Sequence, residues 1–225
     1  NGSTFLTDAA TTDVGDVIQC LVVAVDSDGE ISSSSSNTVT VDNTIAQVDS
    51  VQISPLTVYT NDTISAVATA SDIDGDAIVL NYEWHVVDAS ANGADVIVSS
   101  GAGTTFSTLL GTNFDRDDEV YLIVVADDGR GSSTFSSLQS NTVEVLNTAP
   151  TGTTVVVTSS GTPPYDGIDD LTCDITVIGT DLDGDALLYT YEWIDPNGSI
   201  QQTYNATTDL IDVFLGTGTA SNAGD

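Results

Sequence analysis

Two short segments concentrate carboxylates around a glycine: Asp72-Ile-Asp-Gly-Asp76 and Asp181-Leu-Asp-Gly-Asp185. The glycine can adopt the positive φ that lets the backbone curl round one point. Calcium takes about six to eight oxygen ligands, preferably from carboxylates. An EF-hand loop is excluded, because glycine stands at the fourth rather than the sixth position and a predicted strand separates each motif from Glu83 or Glu192. Further ligands must therefore come from other parts of the fold.

The charge of the chain favours the binding of a divalent cation. There are 34 acidic residues against two basic ones, Arg116 and Arg130, and no lysine. Carboxylates crowded without cationic partners raise the free energy of the compact state, and a bound cation would remove that cost. A salt-adapted acidic surface is the alternative, and it is compatible with metal binding. The same charge excludes nucleic acid and anionic membranes as partners.

The sequence repeats itself. The segment from Asp72 to Trp84 aligns without a gap with Asp181 to Trp193, and Ser36 to Val41 aligns with Ser140 to Val145. The spacing is about the length of one β-sandwich. We therefore expect the C-terminal half of one repeat at 1–45, a complete repeat at 46–149 and the N-terminal part of a third at 150–225.

Segments rich in Val, Ile and Thr, bounded by turn residues, predict an all-β chain without helices. The strands of the middle repeat are predicted at 51–59, 63–69, 78–86, 104–110, 120–126 and 142–145. Alternation along 78–86 places Leu80 and Trp84 on the core face, with Glu83 and His85 solvated on the other. Trp84 and Trp193 are interpreted as core residues rather than as platforms for sugar rings.

At these motifs the chain resembles two groups of immunoglobulin-like modules, the bacterial cadherin-like repeats and the polycystic-kidney-disease-like repeats. The stretch from Phe114 to Gly129 resembles the cadherin segment in which Leu-Asp-Arg-Glu precedes Tyr-x-Leu-x-Val-x-Ala-x-Asp, and Asn147-Thr-Ala-Pro150 resembles the end of a cadherin linker. Asp117 replaces the cadherin glutamate and Leu146 an acidic linker residue. The resemblance implies tandem immunoglobulin-like β-sandwiches that bind calcium at their junctions, with fewer ions than in cadherins.

In such a sandwich the B–C and F–G loops lie together at one end. That end receives the linker from the preceding repeat and faces its E–F loop. The predicted ligands of the first junction are Asp13, Asp16, Asp42, Asn43, Asp72, Asp74, Asp76, Asp127 and Asp128. Those of the second junction are Asp115, Asp117, Asn147, Asp181, Asp183 and Asp185.

These observations favour a structural rather than a catalytic role. The single histidine, the missing lysine and the absence of known nucleophile motifs argue against an enzyme. We expect a calcium-rigidified segment of an extracellular fibre, surface protein or adhesin. Its partners would be neighbouring repeats or subunits, with surface glycans or proteins as further candidates and no insertion into a membrane. The alternative is a carbohydrate-binding or spacer module of a secreted hydrolase, for which Tyr59, Tyr121, Tyr189 and Tyr204 are the candidate contacts.

The two cysteines occupy strands that the immunoglobulin resemblance joins by a disulfide, Cys20 in strand F and Cys173 in strand B. They belong to different repeats, so they should not pair within one chain. We expect partners before Asn1 and after Asp225. If the 225 residues are a subunit, Cys173 would instead meet Cys20 of the next copy, although strand-E segments near 4–7 and 208–215 are then duplicated. Ile64 and Leu122 are the expected equivalents in the middle repeat.

Overall fold

The structure, a computed structural model, describes residues 12–103, 106–131, 134–162 and 169–214. Apart from a 3₁₀ turn at Gly111–Asn113, the regular elements of these residues are all β-strands, which confirms the all-β prediction. The chain divides into two compact units, residues 1–58 with 62–144 and residues 59–61 with 145–225. None of the described segments forms a helix long and apolar enough to cross a membrane.

The strands are numbered in chain order. They are β1 Val17–Val25, β2 Ile31–Thr40, β3 Gln47–Ser54, β4 Val58–Tyr59, β5 Thr63–Ser71, β6 Val79–Asp88, β7 Ala94–Gly103, β8 Phe106–Leu110, β9 Glu119–Asp127, β10 Ser136–Gln139, β11 Val143–Leu146, β12 Thr154–Ser159, β13 Leu171–Val177, β14 Tyr189–Ile194, β15 Ile200–Thr207 and β16 Ile211–Phe214.

The middle repeat is a two-sheet antiparallel sandwich of the immunoglobulin-like kind. One sheet has the order β3-β5-β8, and the other has the order β4-β11-β9-β6-β7 with β10 also paired to β9. Alternate residues of β9, from Val120 to Ala126, are buried because one face of the strand lies on the core. Trp84 on β6 is fully buried, and its indole N–H donates to Ser107 Oγ on β8 at 2.9 Å. This hydrogen bond joins the two sheets through the core, so the interpretation of Trp84 as a core residue is confirmed.

The first hairpin, β1–β2, repeats the pairing of β9 with β10 and β11 residue for residue. Val22 pairs with Ser34 as Val124 pairs with Leu138, and Ile18 pairs with Val39 as Val120 pairs with Val143. The backbone N–H of Cys20 donates to Ser36 Oγ at 3.0 Å, and that of Leu122 donates to Ser140 Oγ at 2.9 Å. Cys20 is therefore equivalent to Leu122, as the sequence predicted.

The third repeat copies the other strands of the sandwich. Cys173 on β13 pairs with Val157 and Asp212, as Ala66 on β5 pairs with Ile53 and Ser107. The Trp193 indole N–H donates to Asp212 Oδ2 at 2.7 Å. The Trp84 indole N–H donates to Ser107 Oγ, so Asp212 and Ser107 are equivalent acceptors. The expected equivalence of Cys173 with Ile64 is therefore wrong, and Ala66 is the equivalent residue. The segment from Cys173 to Asp181 is two residues longer than the segment from Ala66 to Asp72, which an ungapped alignment cannot accommodate.

Several sequence predictions for the middle repeat need correction. The predicted strand at 51–59 is interrupted between β3 and β4. β7 was not predicted although it contains Val96, Ile97 and Val98, and β10 was missed because its two serines give it a weak β signal. The start of the predicted strand at 104–110 lies outside the described residues.

His85 is not solvated, although it lies on the face opposite to Trp84. Its side chain is only 11% exposed, Nδ1 lies 2.9 Å from Asp95 Oδ1, and the ring stacks on Tyr121 with centroids 4.7 Å apart. Asp95 belongs to β7, a strand that was not predicted from the sequence. β7 pairs with β6 beside His85, which lies opposite Ile97 in the register.

Candidate metal centre

The aspartate triplets form tight turns around their first carboxylate. Asp72 Oδ1 accepts the backbone N–H of Asp74 at 2.9 Å and of Asp76 at 3.1 Å, and Gly75 takes a φ of +79°. Asp181 makes the same two bonds, to Asp183 and Asp185, at 2.9 and 3.1 Å. Glycine is required because this left-handed conformation is strained for other residues.

The same turn occurs where no metal was predicted. Asp26 between β1 and β2, and Asp195 between β14 and β15, each accept the N–H groups two and four residues further on, at 2.8 to 2.9 Å. Their sequences share an Asp, a following Asp or Asn, and a Gly at the fourth position. The motif by itself therefore encodes a turn, and contacts with the linker distinguish the segment from Asp72 to Asp76.

At the first junction, both acidic loops of the middle repeat bind the linker that precedes β3. The backbone N–H of Thr44 donates to Asp74 Oδ2 at 2.7 Å. On the other side, Asp128 Oδ2 accepts the Asn43 Nδ2–H at 2.9 Å and the backbone N–H of Ala46 at 3.3 Å. The predicted convergence of the Asp72–Asp76 loop, the loop after β9 and the linker is therefore present in the structure.

A cleft of about 580 Å³ opens beside this linker. Three predicted ligands line it, Asp13 from the turn before β1, Asp42 from the linker and Asp74. Arg130 also lines the cleft and binds Asp76 with two hydrogen bonds, one of them from Nε to Oδ2 at 2.8 Å. No role was predicted for Arg130 from the sequence, although it is one of only two lysine or arginine residues in the chain.

Two buried oxygen atoms at this junction have no hydrogen-bond partner, Asn43 Oδ1 and Asp72 Oδ2. A buried acceptor without a partner costs about 1 to 3 kcal/mol. Amide and carboxylate oxygens are ligands that calcium prefers, so the residues present fit this ion. Within the described segments, no group of three or more His, Cys, Asp or Glu side chains already converges on one metal position.

Other predicted ligands hold turns. Asp16 Oδ2 accepts the N–H of Asp13 at 2.9 Å, and Asp127 Oδ1 accepts the N–H of Gly129 at 2.8 Å. Asp128 is buried and also accepts the N–H of Arg130 at 2.9 Å. The Arg130 N–H and the Asn43 amide together lower the pKa of the Asp128 carboxyl below its usual value.

The turn before β9 contains a buried carboxylate that the sequence analysis missed. Asp118 accepts the N–H of Asp115 at 2.8 Å and that of Ala89 at 2.9 Å, so it is the equivalent of Asp16. Asp117 is exposed, with a φ of +70°, and its carboxylate lies 3.4 Å from Arg116 Nε. A three-residue spacing shared by Asp13 to Asp16 and Asp115 to Asp118 was the available signal.

The second unit repeats one feature of the first junction. Asp183 accepts the backbone N–H of Thr148 at 2.5 Å, as Asp74 accepts that of Thr44, and it also accepts the hydroxyl of Thr60. Thr148 Oγ1 is buried without a partner, and the Asn147 amide donates to the Thr148 carbonyl oxygen at 3.4 Å. The linker and the turn that begins at Asp181 are thus held together in the second unit as well.

The four candidate sugar-binding tyrosines do not form an exposed row. Tyr59 is exposed, whereas Tyr121, Tyr189 and Tyr204 are half-buried. The Tyr121 hydroxyl donates to Asp95 Oδ2 at 2.6 Å, which raises the pKa of Tyr121 to about 12. The Tyr204 hydroxyl is 3.0 Å from Asp209 Oδ2.

Both cysteines are free thiols within the described residues, Cys20 exposed and Cys173 half-buried. Burial, and then the charges of Asp212 and Asp174, raise the pKa of Cys173. A disulfide to a partner outside the chain remains a prediction.

Comparison with protein-family models finds no match, and comparison with curated proteins finds none. Among solved structures, the chain is similar to one described as a Ca²⁺-stabilised adhesin that helps an Antarctic bacterium bind ice, with a TM-score of 0.34 and 14% identity. That likeness covers 90% of this chain and 49% of the adhesin chain, so this chain spans about half the length of the adhesin chain. Another is the FN1–FN3 region of chicken CNTN1, with a TM-score of 0.30 and 10% identity over 90% of this chain and 66% of that one. Both TM-scores are low, so neither likeness carries an argument about function.

Proposed function

We propose that the chain is a structural, calcium-rigidified segment of an extracellular fibre, surface protein or adhesin, built from cadherin-like or polycystic-kidney-disease-like repeats. One observation carries this proposal. The linker before β3 is held by two acidic loops, and buried oxygens of Asn43 and Asp72 beside it have no partner. A cation that binds oxygen would satisfy these atoms and fix the linker.

At the first junction, Asn43 and Asp72 are the principal proposed ligands, supplemented by the cleft-lining carboxylates of Asp13, Asp42 and Asp74. When bound, calcium would supply charge neutralisation at a place where carboxylates outnumber cations. Arg130 already neutralises Asp76, so that carboxylate need not take part. Asp16, Asp127 and Asp128 support the site by holding its loops.

A second calcium site is proposed at the turn from Asp181 to Asp185. Its support is the Thr148–Asp183 hydrogen bond and the unpartnered Thr148 hydroxyl oxygen. Asn147 belongs to the same linker, and Asp115 and Asp117 stay predicted ligands.

The proposal is tested by calorimetric titration of the 225-residue chain with calcium, comparing Asp74→Asn with Asp28→Asn. Each of these aspartates is the third residue of the same type of turn, but Asp28 lies at the far tip of the β1–β2 hairpin, about 30 Å along the strands from the junction. We expect Asp74→Asn to weaken binding about tenfold and Asp28→Asn to leave it unchanged. Equal calcium affinity in both variants would contradict the assignment of the first junction.

Scattering in solution tests the structural role separately. Asp74→Asn and Asp183→Asn each remove a carboxylate that holds a linker N–H group, while the hydrogen bonds of the buried Trp84 and the half-buried Trp193 are left intact. We expect both variants to be folded but more flexible in calcium than the unmodified chain. Collapse of the tryptophan environment would instead mean that these loops are part of the repeat cores.

A further inference from the structure

Arg130 places a positive charge on the acidic loops of the first junction. Its guanidinium binds the Asp76 carboxylate with two hydrogen bonds, from Nε to Oδ2 at 2.8 Å and from Nη2 to Oδ1. Its backbone N–H donates to Asp128 Oδ1 at 2.9 Å. Arg130 therefore joins the Asp72–Asp76 loop to the loop that follows β9, and it does so with a cation.

The guanidinium and the proposed calcium ion share one group of carboxylates. Arg130 lines the same cleft as three of the proposed ligands. The hydrogen bonds and the charge of Asp76, followed by the charges of Asp128 and Asp74, raise the pKa of Arg130. A guanidinium and a divalent cation repel each other, so each lowers the affinity of these carboxylates for the other.

The two partners of the ion pair differ in their freedom to move. The Asp76 side chain is only 12% exposed, and the Asp76 N–H is held by Asp72 Oδ1 at 3.1 Å. The Arg130 side chain is 51% exposed. Exposed side chains change rotamer readily, so the arginine can move into solvent while the carboxylate stays in its turn. Asp76 is therefore a fixed carboxylate that carries a removable cation.

Arg130 leaves other oxygens of the junction unsatisfied. Asn43 Oδ1 and Asp72 Oδ2 are buried without a hydrogen-bond partner, although the guanidinium lies on a carboxylate of the same turn as Asp72. The planar fork of a guanidinium matches a single carboxylate, whereas calcium takes about six to eight oxygen ligands. The ion can therefore use oxygens that the arginine cannot.

From these contacts we infer that Arg130 is a built-in competitor of calcium at the first junction, which occupies Asp76 when calcium is absent and leaves that carboxylate when calcium binds. This inference rests on the calcium site proposed above and adds a residue that sets its affinity. Arg130 holds the two acidic loops together at low calcium concentration. Because the competing charge belongs to the chain, the calcium concentration alone decides which cation Asp76 binds.

Two substitutions of Arg130 separate its charge from its size. Arg130→Gln removes the charge but keeps the backbone N–H that Asp128 accepts, whereas Arg130→Lys keeps the charge. In a calorimetric titration of the 225-residue chain with calcium, we expect Arg130→Gln to lower the Kd about tenfold and Arg130→Lys to change it less than about threefold. An equal or higher Kd in Arg130→Gln, or the same gain in Arg130→Lys, would overturn the inference.

A double substitution tests whether Arg130 acts through Asp76. If Arg130 withholds this carboxylate from calcium, the gain from Arg130→Gln should shrink to less than about threefold in an Asp76→Asn background. The same gain of about tenfold in both backgrounds would mean that Arg130 acts only as a distant charge, which contradicts its displacement from Asp76.

The unmodified chain offers a direct measurement, because it contains only two arginines. After labelling of arginine with nitrogen-15, the Nε–H signals of both are followed by NMR, and Arg116→Gln identifies the signal of Arg116. We expect calcium to speed the exchange of the Arg130 Nε–H with water, since its hydrogen bond to Asp76 Oδ2 is broken. An unchanged Arg130 signal in the calcium-bound chain would overturn the inference.

Failure of this inference can be distinguished from failure of the proposed function. If the unmodified chain binds calcium and the Arg130 signal does not change, the calcium site stands and the competition is refuted. If neither the unmodified chain nor Arg130→Gln binds calcium, the calcium site is refuted, and the competition with it. Fluorescence of the buried Trp84 verifies in each titration that the middle repeat is folded.

Discussion

Substitutions of Asp72 separate the turn that this residue holds from the calcium that it is proposed to bind. Its Oδ1 accepts two backbone N–H groups, and its Oδ2 is buried without a partner. Asp72→Ala removes both bonds, each of which contributes about 1 kcal/mol net, so we expect a loss of about 2 kcal/mol in chelator. Asp72→Asn keeps an oxygen acceptor for the same N–H groups, and its loss should stay below about 1 kcal/mol.

Calcium widens the difference in stability between Asp72→Asn and the unmodified chain. At a free concentration about one hundred times Kd, binding adds about 2.7 kcal/mol to the stability of the native state. If Asp72→Asn weakens Kd tenfold by removing one carboxylate ligand, the gain at the same calcium concentration falls to about 1.4 kcal/mol. The asparagine variant should therefore be nearly as stable as the unmodified chain in chelator and clearly less stable in calcium.

The assay is urea unfolding followed by tryptophan fluorescence in a Trp193→Phe background, so that Trp84 reports on the middle repeat alone. Asp26→Asn is the matched control, because Asp26 holds an equivalent turn away from the junction. If Asp72→Asn keeps the full calcium gain, Asp72 is not a ligand. If Asp72→Ala matches the unmodified chain in chelator, the turn bonds do not stabilise the repeat.

Three further predictions concern single contacts. The pKa of Asp128 is lower in the folded chain than in the unfolded chain, where it is about 4. The ionised carboxylate therefore stabilises the fold above about pH 4, and this stabilisation is lost as the pH falls through the folded pKa. Asp128→Asn should therefore flatten the acid limb of a melting-temperature profile, and an unchanged limb would contradict this. The hydrogen bond to Asp95 raises the pKa of Tyr121 to about 12. The stability that the protonated Tyr121 contributes is therefore complete below about pH 10, its unfolded pKa, and is lost as the pH rises through about 12. Asp95→Asn should return the pKa of Tyr121, followed by ultraviolet titration, toward about 10. Ser107→Ala leaves the buried Trp84 N–H without an acceptor and should cost about 1 to 3 kcal/mol in urea unfolding, unlike the exposed Ser137→Ala.

The sequence predicted the parts of the fold that depend on local pattern. Alternation in the strand that ends near Trp84 placed the tryptophan in the core, and the internal repeat aligned Cys20 with Leu122 correctly. The alignment failed at Cys173, because two additional residues between Cys173 and Asp181 shift the register and leave no mark in the motif itself.

The candidate site was predicted in outline but not in its contacts. The sequence identified the acidic loops, yet the turn of Asp72 recurs at Asp26 and Asp195, so the motif alone does not single out a metal site. The pairing of Arg130 with Asp76 joins residues on two different loops, which local periodicity cannot reveal. His85 was misjudged because Asp95, which its ring contacts, belongs to β7, a strand that was not predicted from the sequence.

We infer that calcium binds the native chain and fixes the linkers between its repeats. The most direct measurement is the thermal unfolding midpoint of the 225-residue chain at low ionic strength, in calcium and in chelator, with magnesium at the same concentration as the control for general screening. We expect a midpoint that rises with calcium concentration and rises less with magnesium. The same midpoint in calcium and in chelator would contradict it.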